Sequence, residues 1–132
     1  MIVNDNELVA AARRYIGTPW RDRGRSTTGL DCIGLLAVAM RDCGVPGVFR
    51  DTLGSPRDYF VLKPVLCRYA ARIASARFGA LLLYKMENLK IIHVAIATDD
   101  GAAISIAGPG HKVAEASVNF PIRQTWGVTW QS

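Results

Sequence analysis

A chain of 132 residues is one domain by size, with room to bury roughly two thirds of its extended surface, so residues 1–132 are read as a single unit. Half of the residues are hydrophobic, which excludes disorder for the body of the chain, and no apolar run is long enough to cross a bilayer. Sixteen basic residues against 11 acidic ones leave a net charge of +5, which admits a polyanionic neighbour without requiring one.

The chain opens Met1-Ile2-Val3-Asn4-Asp5-Asn6-Glu7, with no basic region followed by a long apolar one. That pattern argues against a secretory signal and for synthesis in the cytoplasm. A first helix is expected from about Asn6 to Ile16, where Leu8, Ala11, Ala12 and Tyr15 recur at helical spacing and Gly17-Thr18-Pro19 ends it. Residues Trp20 to Gly29, with two glycines and little apolar content, read as a loop.

The run Thr28-Gly29-Leu30-Asp31-Cys32-Ile33-Gly34-Leu35-Leu36-Ala37-Val38-Ala39-Met40 then starts a second helix, about Cys32 to Arg41, apolar around nearly its whole circumference and therefore central and buried. Asp31 can cap it, and a cysteine in the first turn meets unpaired N–H groups and the positive end of the helix dipole; both effects are read as favouring the thiolate. Cys32 is thus the best nucleophile in the chain. The other two cysteines, Cys43 and Cys67, sit in ordinary settings, and Cys43 would lie roughly 16 Å from Cys32 along the helix, too far for a disulfide or a shared metal. Cys32, His93 and His111 have no characteristic metal spacing, so neither a metal nor another cofactor is expected.

From Pro46 to Lys63 little periodicity is visible, and a long loop with one short turn is expected to form a wall of a cleft. A third helix is expected from Pro64, at a first helical position, to Arg77, with Leu66, Tyr69, Ala70, Ile73 and Ala74 as its stripe. After Gly79 the period changes to two. Strands are expected at Leu81 to Tyr84, Ile91 to Ala97, Ala102 to Ala107 and Lys112 to Val118, with turns at Met86-Glu87-Asn88, Asp99-Asp100-Gly101 and Gly108-Pro109-Gly110, and the tail Trp126 to Trp130 closing the sheet. Helices followed by an antiparallel meander indicate an α+β fold with the helices on one face.

Alternation puts His93 with Ile91, Ala95 and Ala97, opposite Ile92, Val94 and Ile96. The alanines leave room for a helix to approach, and a histidine on that face, set against a capped cysteine, is read as its base. By itself such a histidine is equally well a satisfied core residue.

Ala12-Arg13-Arg14-Tyr15-Ile16-Gly17-Thr18-Pro19-Trp20, Gly29-Leu30-Asp31-Cys32-Ile33-Gly34-Leu35 and His93-Val94-Ala95-Ile96 together resemble the NlpC/P60 family of cell-wall cysteine peptidases, and most closely its small phage-tail and prophage branch. The resemblance implies a papain-like α+β fold, hydrolysis of amide bonds in peptidoglycan stem peptides, Cys32 as nucleophile, His93 as base, and a third polar residue on the next strand. It also implies phage tail proteins as partners and a virion-associated enzyme acting at the cell wall. Ser105 stands at the third position, where histidine, asparagine or glutamine is usual, with His111 ranked below it and main chain or water as the fallback. Ala80 replaces the family's usual aspartate. Trp20 takes the place of a cleft aromatic, while Asp31 is a candidate for a substrate amine and Arg21, Arg23 or Arg25 for a substrate carboxylate. Two other readings compete: a catalytically weakened structural or peptide-binding component of a phage tail tip, suggested by Ala80 and Ser105, and nucleic-acid binding through Arg13, Arg14, Arg21, Arg23 and Arg25. The latter lacks a recognition helix.

Overall fold

The computed structural model describes residues 5–85, 92–99 and 101–129. Four helices come first: α1 (Asp5–Arg13), α2 (Cys32–Asp42), α3 (Gly47–Thr52) and α4 (Tyr59–Tyr69). A two-stranded ribbon, β1 (Arg25–Ser26) and β2 (Gly29–Leu30), lies between α1 and α2 in the stretch expected to be loop. Then come β3 (Ala70–Arg72), β4 (Leu81–Lys85), β5 (Ile92–Ala97), β6 (Ala102–Ser105), β7 (Ala114–Ser117) and β8 (Gln124–Val128). They form one antiparallel sheet in the order β3-β8-β4-β5-β6-β7. The α+β expectation holds, and the closing strand inserts between β3 and β4 instead of adding at an edge.

Every residue of α2 from Cys32 to Met40 is buried. The helix packs against α1 and α3 on one side and β5 on the other, and truncating a wholly buried residue such as Leu36 would cost about 2–5 kcal/mol. The sheet face it meets carries Leu81, Leu83, Ile92, Val94, Ile96 and Ile104. This corrects the expectation that α2 packs on the alanine face. Ala80, Leu82, Tyr84, Ala95, Ala97 and Ala103 form a second, smaller core on the other side, covered by Ile73, Val118 and Phe120. The large side chains of α2 interdigitate with branched chains of similar depth, whereas the alanine face is shallow and suits a thin cover of loop residues.

The third long helix also differs from expectation. Asp58 accepts a hydrogen bond from the Phe60 N–H at 2.8 Å and starts α4 at Tyr59, so Pro64 falls inside it rather than at its head. The N–H that proline lacks would have served a carbonyl one turn back, where most neighbours are exposed and water can replace it. The helix stops at Tyr69 because Ala70 turns extended and pairs with Val128 of β8. The expected turn at residues 86–88 lies outside the described residues, as does Ile91. Among the described residues no helix is long and apolar enough to cross a membrane.

Candidate functional site

The support of the site is the junction between the ribbon and α2. Asp31 is wholly buried at the N-cap of α2. Its Oδ1 accepts from the Gly34 N–H at 2.7 Å and from Arg25 Nη1 at 3.0 Å, and its Oδ2 accepts from the Arg23 N–H at 2.9 Å. Arg25, itself buried, also donates to the Gly24 and Thr52 carbonyls at 2.9 Å each. The Gly24 carbonyl lies where a Cβ on Gly34 would stand, so only glycine lets the loop approach the first turn of α2 this closely. Both Asp31 oxygens are therefore engaged in fixing the loop to the helix. The substrate-amine role read from the sequence finds neither of them free.

The fixed end of α2 carries Cys32, 1% exposed. Its Sγ donates to the Ile92 carbonyl at 3.6 Å, and the main-chain N–H groups of Ile33 and Val94 point at the sulfur. The thiol thus rests on the backbone of β5 on both sides of His93. Burial pushes the Cys32 thiol up to about 12, with the Asp31 charge adding to the rise. The expectation of a favoured thiolate is corrected here: the carboxylate that caps the helix also repels a negative sulfur, and desolvation outweighs the dipole and the donors.

His93, 1% exposed, stands on the other face of β5, where it pairs directly across the ladder with Tyr84 of β4. Directly opposed residues share a face, and the Tyr84 hydroxyl accordingly meets His93 Nδ1 at 3.2 Å. Phe120 stacks on Tyr84 with ring centroids 3.6 Å apart and holds the phenol in place. Ser105 hydrogen-bonds the Tyr84 hydroxyl, and burial pushes that phenol up to about 12. Ser105 lies on the face expected for it, but it reaches the imidazole through Tyr84. On the other side of the ring, Arg57 Nη1 approaches Nε2 at 3.4 Å. Burial first, and then the Arg57 charge, bring His93 down to about 4, so the imidazole is neutral near pH 7. A guanidinium only donates, so Nε2 must carry the lone pair and Nδ1 the proton, given to Tyr84.

The Arg57 guanidinium also lies over the Trp20 ring, 5.5 Å from its centroid, and the buried Trp20 Nε1 has no hydrogen-bond partner among the described residues. Trp20, expected to line a cleft, thus lies beside the His93 cluster through Arg57. Arg21 packs its side chain over Gly29. Arg23 is used through its main chain on Asp31 and reaches the Gly54 carbonyl at 3.4 Å. His111 is exposed and shares a groove of about 240 Å³ with Tyr84, Ser105, Lys112, Asn119 and Phe120. A second groove of about 160 Å³ is lined by Tyr59, Phe60, Tyr84, Ile92 and Gln124. Tyr84 lines both.

Sequence reasoning missed Tyr84 and Arg57. Tyr84 enters the sequence reading only as the end of an expected strand, although a hydroxyl directly across from His93 follows from any register that opposes residues 84 and 93. Arg57 sits in the segment expected to form a cleft wall, and nothing in Ser55-Pro56-Arg57-Asp58 singles it out. Among the described residues no group of three histidine, cysteine or acidic side chains is set to hold a metal ion.

Compared with known proteins, the chain has structural homology to NlpC/P60 domains of papain-like fold. The NlpC/p60 domain of the peptidoglycan hydrolase SagA is 27% identical, with a TM-score of 0.66 over 95% of this chain and 99% of that one. An NlpC/P60 family protein from Bacillus cereus superposes with a TM-score of 0.73 at 19% identity, over 95% of this chain and 40% of the other. RipD of Mycobacterium tuberculosis, a non-catalytic NlpC/p60 domain protein adapted to peptidoglycan binding, gives 0.60 at 20% identity, over 92% of this chain and 94% of that one. In sequence, 123 residues are 30% identical to Protein P54 of Enterococcus faecium; they span 89% of this chain and about a fifth, 21%, of that protein. No family model matches the sequence.

Proposed function

We propose that this chain, folded as one domain, is a cysteine hydrolase of amide bonds in peptidoglycan peptides, with Cys32 as nucleophile and His93 as base. The supporting observation is the thiol at the capped start of a buried helix, resting on the main chain that flanks a buried neutral histidine. In this reading the Cys32 proton passes to Nε2 of His93 while sulfur attacks the amide carbon. The main-chain N–H of Cys32 and a neighbouring donor hold the oxyanion. The amine leaves with the proton from the imidazolium, giving an acyl-thioester, and water, deprotonated by His93, releases the acid and restores the thiol. Tyr84 fixes the tautomer that leaves Nε2 free to accept, and Ser105 fixes Tyr84. Trp20, Arg21 and Arg23 border the approach of the peptide. The carrier that brings the enzyme to the wall is read as a phage tail on the strength of the sequence resemblance alone.

A specific observation favours a second reading, a peptidoglycan-binding domain without turnover: the thiol is held on the Ile92 carbonyl and pushed up to about 12. Digestion of purified sacculi, followed by mass spectrometry of released peptides for the wild type and Cys32→Ala, separates the two. Release by the wild type and none by Cys32→Ala, with both proteins cosedimenting with sacculi, supports the hydrolase. Cosedimentation of both with no release by either supports binding alone.

A further inference from the structure

The base nitrogen of this site is covered. Nδ1 of His93 is committed to Tyr84, so a proton can be taken only at Nε2, and Arg57 Nη1 lies 3.4 Å from it. The cover is held at its main chain, where the Arg57 carbonyl accepts from the Ile92 N–H at 3.3 Å, and, among the described residues, its side chain otherwise meets the face of Trp20. None of the ion pairs among the described residues takes in Arg57, whereas the buried Arg25 is paired with Asp31. Asp58, its neighbour in sequence, is turned to the N-terminus of α4. Among the described residues His93 Nε2 is the one hydrogen-bond partner of this half-buried guanidinium, which leaves most of its five donors without an acceptor there. The indole N–H of Trp20, buried and without a partner among the described residues, belongs to the ring that the same guanidinium covers and is a further donor there.

We propose that Arg57 is a lock on the base and a specificity-determining residue: an anionic carboxylate of the incoming peptide draws the guanidinium off Nε2 of His93 and, in doing so, frees that nitrogen for the thiol proton. A bidentate guanidinium–carboxylate pair is stronger than a single contact to a neutral ring nitrogen, so the exchange runs toward release. With the cation paired, its charge no longer opposes the imidazolium, one of the two causes that hold His93 down. A peptide with a neutral amide in place of the carboxylate would occupy the cleft and leave the base covered. The proposal rests on the hydrolase reading for its kinetic consequence, but its binding step does not need turnover.

The test uses two peptides that differ in one group, Ala-Glu-Lys-amide and Ala-Gln-Lys-amide, with the wild type, Arg57→Gln and Arg57→Lys. The imidazole nitrogens of His93 are followed by NMR, with those of exposed His111 as an internal control. The glutamate peptide should shift the His93 Nε2 resonance of the wild type and the glutamine peptide should not; Arg57→Gln should show its shifted position with neither peptide added. Turnover of the wild type should favour the glutamate peptide by about tenfold or more in kcat/KM, a preference lost in Arg57→Gln and partly kept in Arg57→Lys, which retains charge without the planar fork. Equal His93 shifts with both peptides, or none with either at millimolar concentration, overturn the lock. If no peptide is cleaved yet the shift depends on both Arg57 and the carboxylate, the lock stands and the hydrolase reading falls. If both peptides are cleaved equally well, the lock falls and the hydrolase stands.

Discussion

Asp31 and His93 are both buried polar side chains, one on each side of the candidate nucleophile, and their surroundings are opposites. Around Asp31 the two carboxylate oxygens receive three donors, and its counterion Arg25 makes two further bonds to carbonyls. Around His93 the partners are looser, at 3.2 and 3.4 Å, one of them a cation facing a base, and the indole N–H beside them has no partner among the described residues. Short bonds to a charged carboxylate fix geometry, while longer contacts to a neutral ring are more readily exchanged for a ligand. The contrast separates a support whose carboxylate oxygens are both engaged, although Arg25 Nε has no partner among the described residues, from a working face whose base is met by a cation.

The largest effect should come from breaking the side with the shorter, charged bonds. Asp31→Ala removes the cap and leaves the Arg25 guanidinium buried without its carboxylate, an expected loss of about 3–5 kcal/mol read by urea unfolding. Arg25→Met, which removes the charge as well, should cost less in the Asp31→Ala background than alone. Retention of wild-type stability in Asp31→Ala would show the network to be solvated.

The working face should declare itself through pH. The folded-state pKa of His93 is depressed from 6.5 to about 4, so the unfolded chain binds the extra proton between those values, and stability falls as pH drops through that window. At pH 5 the loss should be about 2 kcal/mol. Cys32 is raised from 9.0 to about 12, so the unfolded chain loses its proton first and stability falls again as pH rises above 9. Unfolding midpoints at pH 5, 7.5 and 10 should therefore peak in the middle, with the acid loss reduced in His93→Gln and the alkaline loss reduced in Cys32→Ala. A flat profile in the wild type would contradict the burial of both groups.

A smaller effect is expected where the two regions meet function. Tyr84→Phe keeps the stack on Phe120 but frees Nδ1, and turnover should drop about tenfold in kcat, equivalent to about 1.4 kcal/mol, with KM and stability little changed. Ser105→Ala should give a weaker loss of the same kind. An unaltered kcat in Tyr84→Phe would leave the imidazole positioned by packing alone. The smallest effect belongs to the surface: Arg13→Ala breaks the exposed pair with Glu115 at 2.9 Å and should leave the unfolding midpoint within error.

What could be read beforehand follows the same division. The capped cysteine and the central helix were legible because a cap residue, an apolar run and a turn signal are all local, and the antiparallel strands because alternation and glycine turns are too. Pro64 misled because its preference for a first turn is statistical, while Asp58 supplied the actual cap. The alanines around His93 suggested space for a helix, but which face a helix takes depends on matching depth across the whole sheet. Tyr84 and Arg57 could not be placed from local pattern: one requires the β4 to β5 register, and the other requires knowing that the Arg57 carbonyl is tied to Ile92.

The position of β8 has a consequence for how the molecule assembles during synthesis. Because β8 lies between β3 and β4, the ribosome must deliver Gln124–Val128 before either neighbour has its inner partner. Until then the meander from β4 to β7 can zip locally, but β4 shows a bare hydrogen-bonding edge along Leu81, Leu82 and Leu83, and β3 is a stub with nothing to pair. The nascent chain thus passes through a stage with a sticky apolar border, where pairing with another chain competes with arrival of its own last strand. Any truncation that removes residues 124–128 would make that stage permanent.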